Sequence, residues 1–164
     1  MTTSQTADYD VIAVGAGFAG ISLSYHLREA GLNTQIFDRA DDIGGTWTWN
    51  RYPGAATDSE SYYYCLTFSK EVLQEWSWTK RYSGWEETQA YLKFVMDKFS
   101  LWPSFQLSTE VESAAFDNET GLWNVHTGDG KTHTAKYFIR AMGMISQPVI
   151  PNIAGMDSFN GPLF

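Results

Sequence analysis

The sequence predicts an α/β domain with a parallel sheet and an antiparallel β-meander, and three observations support this prediction. A β-branched apolar run at residues 9–14 stops at a glycine-rich turn, and a helical pattern follows it. A second short apolar run at residues 33–38 completes a strand–helix–strand unit. Short runs separated by turn residues then follow Pro103. The 164 residues fit one domain that can bury roughly 70% of its unfolded surface.

The turn after the first strand carries the motif G-x-G-x-x-G at Gly15, Gly17 and Gly20. Gly15 makes the tight turn, Gly17 lets backbone N–H groups approach a pyrophosphate, and Gly20 lets the helix pack closely on the strand. The helix then directs the positive end of its dipole at the phosphates, and Gly31 ends it as a C′ glycine. This unit predicts a Rossmann-like, three-layer, dinucleotide-binding fold.

Asp38 stands at the end of the second predicted strand, where an acidic side chain selects between nucleotides. A carboxylate there can accept a hydrogen bond from a ribose 2′-hydroxyl and would repel a 2′-phosphate. The first nucleotide site is therefore expected to hold FAD or NAD and to reject NADP.

Residues 83–100 predict an amphipathic helix, because apolar side chains recur at helical spacing and Ser83 precedes Glu86 by a capping-box interval. The runs that follow Pro103 predict a three-stranded antiparallel meander, with a hairpin at Asp129-Gly130, inserted before a last parallel strand at residues 137–141.

Composition excludes several classes of function. The net charge is −8, the pI is about 4.7, and no cluster of basic residues is longer than Lys80-Arg81, so a nucleic-acid partner is not expected. Cys65 is the only cysteine and the three histidines are scattered, which argues against a disulfide, a redox pair and a metal site. Residues 1–8 predict a disordered tail without signal-peptide features, and no apolar run approaches a membrane span, so a cytoplasmic protein is expected.

Residues 44–61, GGTWTWNRYPGAATDSES, have neither helical nor strand periodicity although they contain two tryptophans and a tyrosine. A loop rich in large rings either folds over the core or covers a flat ligand. For Trp47 and Trp49 both interpretations stay open, core filling and cofactor contact.

Together with GAGFAG, Asp38 and the later AMGMISQPVIP, this stretch resembles the N-terminal FAD-binding part of the Baeyer–Villiger monooxygenases, which are class B flavoprotein monooxygenases. The resemblance covers essentially the whole chain, and residues 44–61 are its specific part. The family fingerprint F-x-G-x-x-x-H-x-x-x-W is matched by Phe159 and Gly161, and Phe164 stands just before the position of the histidine. Two departures are Ala56-Thr57, where many relatives have Arg-Cys, and Met142, where they have threonine.

The resemblance implies a set of cofactor contacts. Residues 46–49 would lie along the FAD, Asp58 and Tyr64 near the flavin, and Ala19 and Val111 beside the adenine half. Residues 56–58 would border the nicotinamide of NADPH. With the glycine motif, the predicted cofactor-binding residues are Gly15, Gly17, Ala19, Gly20, Asp38, Gly45, Thr46, Trp47, Thr48, Trp49, Ala56, Thr57, Asp58, Tyr64 and Val111.

The resemblance also implies an activity, the FAD- and NADPH-dependent insertion of one oxygen atom of O2 next to a ketone carbonyl through a C4a-peroxyflavin, which yields an ester or lactone. Asp58 is the predicted catalytic residue, because it matches an aspartate that holds a downstream arginine; an N-cap for the segment after it is the alternative. The chain is expected to be an inactive fragment, with an incomplete FAD-binding domain at residues 9–150 and a linker at residues 151–164 toward an NADPH domain.

Other functions remain open, two of them enzymatic and one non-catalytic. A flavin-dependent N-hydroxylating or sulfide-oxidising monooxygenase would share the nucleotide folds, and a non-catalytic FAD-binding module would need no more than this chain. A disulfide reductase of the same fold class is excluded, because Cys65 has no partner cysteine.

Overall fold

The computed structural model describes residues 6–162, so residues 1–5 of the predicted tail and Phe164 of the fingerprint lie outside the described part. The strands in this part are β1 Tyr9–Val14, β2 Thr34–Phe37, β3 Phe105–Gln106, β4 Val111–Asp117, β5 Leu122–Thr127 and β6 Thr132–Arg140. The helices are α1 Phe18–Glu29, α2 Thr46–Trp49, α3 Lys70–Glu75 and α4 Trp85–Lys98, with short 3-10 turns at Trp102–Ser104 and Met156–Ser158. The strands form one mixed sheet in the order β3-β2-β1-β6-β5-β4.

The predicted strand–helix–strand unit is confirmed. β1 has the expected bounds and pairs in parallel with β2 on one side and with β6 on the other. Gly31 ends α1 with φ +73°, where the N–H of Gly31 donates to the carbonyl of Arg28 and that of Leu32 to the carbonyl of Leu27. These two bonds form a Schellman motif, which needs the left-handed residue that glycine supplies.

The prediction for the strands after Pro103 needs two corrections. The first of the predicted meander strands is β3, which pairs in parallel with β2 at the opposite edge of the sheet. The meander is β4-β5-β6, and the last parallel strand is not separate from it, because β6 pairs antiparallel with β5 and parallel with β1. One strand has two hydrogen-bonding edges, so a single nine-residue strand joins the meander to the parallel part.

The predicted capping box of α4 is wrong. Gly84 is the N-cap residue, and no side chain caps the helix. Ser83 is instead fully buried, and its hydroxyl lies 2.7 Å from the hydroxyl of Ser61. A partner from a distant segment has replaced the local Glu86 contact, which the sequence spacing could not reveal.

Two apolar clusters cover the faces of the sheet. One packs α1 and α4 together through wholly buried side chains, among them Ile21, Tyr91 and Val95. The other joins Ile12 and Phe37 to the meander. Both leave open the end of the sheet where β1, β2 and β6 terminate. No helix among residues 6–162 is both long and apolar enough to cross a membrane.

Candidate dinucleotide-binding site

A cavity of about 540 Å³ opens at the carboxyl ends of β1, β2 and β6, within the range of about 300–1,000 Å³ that is usual for cofactor sites. The chain leaves β1 toward β2 on one side and returns as β6 on the other, so the cavity lies at the switch point of the sheet, where α/β folds bind ligands. Predicted site residues that line it are Gly15, Gly17, Ala19, Asp38, Gly45, Thr46, Trp47, Trp49, Tyr64 and Val111.

The glycine turn forms one wall of the cavity. Gly15 has φ +118°, and a Cβ there would overlap the carbonyl of Ala141, while a Cβ at Gly20 would overlap the carbonyl oxygen of Gly15. Gly20 does not line the cavity. It allows α1 to pack closely on the turn, as the motif predicts. Gly17 faces Gly45, whose Cα would lie 3.4 Å from a Cβ on Gly17.

The amino end of α1 points its free amides at this wall. Gly17 is the N-cap residue, no side chain caps the twelve-residue helix, and its first turn holds no acid. The first amides of a helix have no acceptor within it, and together with the helix dipole they bind anions well. The turn therefore fits the pyrophosphate of a dinucleotide.

Asp38 lies between the turn and the cavity. Its Oδ2 accepts a hydrogen bond of 2.6 Å from the N–H of Ala16, and its Oδ1 accepts one of 2.9 Å from the N–H of Ala40. Each carboxylate oxygen has a second acceptor site, so Asp38 can still accept a hydrogen bond from a ribose hydroxyl in the cavity that it lines.

Aromatic side chains form the opposite wall. Trp47 is buried, and its Nε1 donates a 3.2 Å hydrogen bond to the Tyr64 hydroxyl. The ring of Tyr64 meets Trp47 edge-on at 5.6 Å and Phe18 at 5.0 Å. Trp49 is 54% exposed and lies at the mouth of the cavity, so the core-filling interpretation is wrong for it. Trp47 is both part of the core and part of the wall.

Thr48, although it is in the same helix, does not line the cavity. Its buried hydroxyl donates to the carbonyl of Ile43 at 2.7 Å, and Gln89 of α4 donates to the same carbonyl at 2.8 Å. Successive side chains of α2 point to different sides, so Thr46, Trp47 and Trp49 face the cavity and Thr48 anchors the helix to α4.

Ala56, Thr57 and Asp58 also lie outside the cavity lining. Ala56 forms a β-bridge with Gly84, and the hydroxyl of buried Thr57 accepts a hydrogen bond from the N–H of Ser83. Asp58 is exposed, and no helix begins at it, because residues 61–63 form only a turn. The alternative role as a helix N-cap is therefore wrong, whereas a role toward NADPH or a downstream arginine stays a prediction.

Three charged residues that line the cavity were not predicted from the sequence: Arg39, Glu110 and Arg140. The guanidinium of Arg39 lies 5.2 Å above the Trp49 ring, and its Nη2 donates to the carbonyl of Ser146 at 2.8 Å. Arg140 is paired in register with Val14, the last residue of β1. Only their positions in the sequence could have indicated these residues: Arg39 directly follows Asp38, Glu110 directly precedes Val111, and Arg140 ends β6.

Comparisons with known proteins agree with this geometry. A family model described as an NAD(P)-binding Rossmann-like domain matches residues 14–76. A Baeyer–Villiger monooxygenase of Pseudooceanicola batsensis is 44% identical over 98% of this chain and 30% of its own length. The chain is therefore similar to a part of a Baeyer–Villiger monooxygenase, in agreement with the resemblance seen in the sequence.

Two further comparisons extend this finding. The solved structure of cyclohexanone monooxygenase from Rhodococcus sp. Phi1 bound to NADP+ superimposes with a TM-score of 0.87 at 42% identity, covering 93% of this chain and 29% of that one. A phenazine N-monooxygenase of Lysobacter antibioticus is 42% identical over 99% of this chain and 30% of its own length. The chain thus spans about 30% of the length of the Baeyer–Villiger monooxygenase and the phenazine N-monooxygenase that it matches.

Proposed function

We propose that the protein binds FAD in this cavity and serves as the FAD-binding part of a Baeyer–Villiger monooxygenase that uses NADPH and O2 to convert a small ketone into an ester or lactone. The observation that carries the proposal is the joint placement of the glycine turn, Asp38 and the aromatic wall around one cavity. The relatives supply the reaction type, since one is named a cyclohexanone 1,2-monooxygenase, at 43% identity.

The residues fit such a cofactor in three ways. The free amides of α1 suit the pyrophosphate, Asp38 suits the adenosine ribose, and Trp47 with Tyr64 provides flat apolar surface from which a flavin ring would exclude water. When bound, the flavin supplies the redox and oxygen chemistry, and the protein supplies binding, orientation and a dry site. Ala19 and Val111 would then border the adenine half.

Asp58 is proposed to act from outside the cavity. Its carboxylate is exposed among the described residues, which leaves it free to hold a cationic side chain of the remaining sequence by a charge-assisted pair. Ala56 and Thr57 would hold Asp58 in place, because the β-bridge to Gly84 and the hydrogen bond to Ser83 anchor this segment to the residues just before α4.

The domain limits inferred from the sequence are part of the proposal. Residues 9–150 form the FAD-binding unit, and residues 151–164 lead toward an NADPH-binding domain. Asp8, although placed in the predicted tail, hydrogen-bonds to Thr134 of β6 and extends the ordered unit by one residue. The cytoplasmic location stays a prediction of the sequence.

The test is made on the full-length protein purified with its bound flavin. We expect one FAD per chain, NADPH oxidation that a cyclic ketone stimulates, and lactone that is detected by gas chromatography. FAD binding without any NADPH oxidation would indicate a non-catalytic FAD-binding module. Absence of FAD after reconstitution with excess cofactor would refute the proposal at its first step.

N-oxygenation is the second candidate, because the phenazine N-monooxygenase matches this chain nearly as well as the ketone oxygenases do. Parallel assays with cyclohexanone and phenazine separate the two candidates. Phenazine N-oxide without lactone would select N-oxygenation, and lactone alone would select the Baeyer–Villiger reaction.

A further inference from the structure

Residues 142–150 follow the last bonded residue after β6, and few hydrogen bonds attach them to the described part of the protein. We define the mouth segment as residues 142–147, of which five line the cavity. The ladder between β6 and β1 ends with the bond from the N–H of Ala141 to the carbonyl of Val14. Within residues 6–162, the bond from Arg39 to Ser146 is the only one that joins residues 142–150 to the body of the protein.

Side-chain packing does not hold the mouth segment either. Met144 is fully exposed and Ile145 is 68% exposed, so little apolar surface of this segment is buried. A segment with few buried contacts and few hydrogen bonds opens at a low free-energy cost. Its position over the cavity therefore depends strongly on the contact with Arg39.

The backbone next to Arg39 is fixed by hydrogen bonds, and the Arg39 side chain spans the mouth of the cavity. It follows Asp38, and the next residue is held on both sides, by the Ala40 N–H bond to Asp38 and by the 2.7 Å bond from the N–H of Ser108 to the carbonyl of Ala40. Its guanidinium reaches Ser146 on one side and stacks over Trp49 on the other. A planar guanidinium can stack and donate at the same time, which the ammonium of lysine does less well.

We propose that Arg39 is a positioning residue that latches the mouth segment to Trp49 and thereby slows the release of a dinucleotide from the cavity. The inference rests on the proposed FAD site and adds a residue to it. The latch stabilises the closed state of the mouth, so its loss raises the dissociation rate of the cofactor and does not lower the association rate.

The variants are Arg39→Ala, Arg39→Lys and the control Arg51→Ala. Arg51 also stacks on an indole, that of Trp85 at 4.7 Å, but lies outside the cavity lining. FAD release after dilution is followed by flavin fluorescence. We expect Arg39→Ala to release FAD about three- to tenfold faster than wild type, Arg39→Lys to be intermediate, and Arg51→Ala to match wild type. Equal rates for the Arg39 and Arg51 variants would overturn the latch.

A second measurement does not require bound flavin. Thermolysin cleaves before exposed aliphatic residues, and Ile145 lies within the mouth segment. Flavin-free Arg39→Ala should be cut there several-fold faster than flavin-free wild type or Arg51→Ala, as followed by mass spectrometry. Faster FAD release with unchanged cleavage would mean that Arg39 contacts the cofactor directly, which also overturns the latch. Failure of the wild type to bind FAD would refute the proposed function, while the cleavage comparison would still decide the latch.

Discussion

The carboxylate of Asp38 accepts a hydrogen bond from the backbone N–H of Ala16, with 2.6 Å between Oδ2 and the nitrogen. This bond joins the end of β2 to the turn after β1, beside the bond from the N–H of Gly15 to the carbonyl of Phe37. The acid that is expected to bind the ribose therefore also shapes the turn that is expected to bind the pyrophosphate. The two functions of the site are linked through one side chain.

Replacement of Asp38 by alanine should weaken FAD binding about 10- to 150-fold, because a hydrogen bond to a charged acceptor contributes about 1.5–3 kcal/mol. Titration of flavin-free protein with FAD measures the change. Asp38→Asn keeps one carbonyl acceptor and should be intermediate. Asp41→Ala is the control, since it removes an exposed carboxylate three residues away. A shift below about twofold for Asp38→Ala would place the ribose contact elsewhere.

Gly20→Ala should lower the free energy of unfolding by about 1–3 kcal/mol, because the new Cβ would overlap the carbonyl oxygen of Gly15 and force α1 away from the turn. Urea denaturation measures it. The control is Gly128→Ala, whose Cβ would find ordinary contacts, the nearest at 3.6 Å. A stable Gly20→Ala protein would show that the helix can shift without cost.

Tyr64→Phe should destabilise the aromatic wall by about 1–3 kcal/mol, because it leaves the Nε1 of buried Trp47 without its acceptor. Thermal unfolding is the measurement, and Tyr52→Phe, at an exposed residue that also lies between α2 and α3, is the control. Equal melting temperatures for the two variants would indicate that water replaces the Tyr64 hydroxyl.

The stability of the protein should fall in acid partly through Asp8. The backbone N–H of Thr134, and then its hydroxyl, holds the pKa of Asp8 below its ordinary value of 3.8. A depressed pKa in the folded state means that the stabilisation is present above pH 3.8 and is lost as the pH falls below that value. Asp8 is exposed, so the effect is about 0.2–1 kcal/mol. Urea unfolding at pH 7 and pH 3 should show a smaller loss for Asp8→Asn than for wild type, and identical losses would exclude this contribution.

Asp58→Ala should leave the melting temperature within about 1–2 °C of wild type, because Asp58 is exposed and caps no helix. In the full-length protein the same change should slow flavin reduction by NADPH or uncouple NADPH oxidation from product formation, as rapid-mixing absorbance would show. Asp41→Ala again serves as the control. Normal turnover per flavin in Asp58→Ala would remove the catalytic role.

Local patterns were sufficient for part of the glycine turn. The contact of Gly20 with the carbonyl of Gly15 and the helix end at Gly31 are local, so the sequence could predict them, whereas the contact of Gly15 with Ala141 depends on β6. The family resemblance, carried by residues 44–61, indicated the cofactor class and some of the residues that line the cavity, among them Trp47, Trp49 and Tyr64.

Contacts between distant segments decided the rest. Ser83 contacts Ser61 and does not cap α4, Thr48 accepts a hydrogen bond from Gln89 of α4, and β6 pairs with β1. Each of these partners lies far away in the sequence. The sequence does not distinguish Arg39 and Arg140 from other charged residues. They line one cavity because the sheet brings the ends of their strands together. The sequence by itself determined the motif and the class of ligand, since these depend on neighbours along the chain. Only the tertiary structure decided which side chains face the ligand, since that depends on how elements pack.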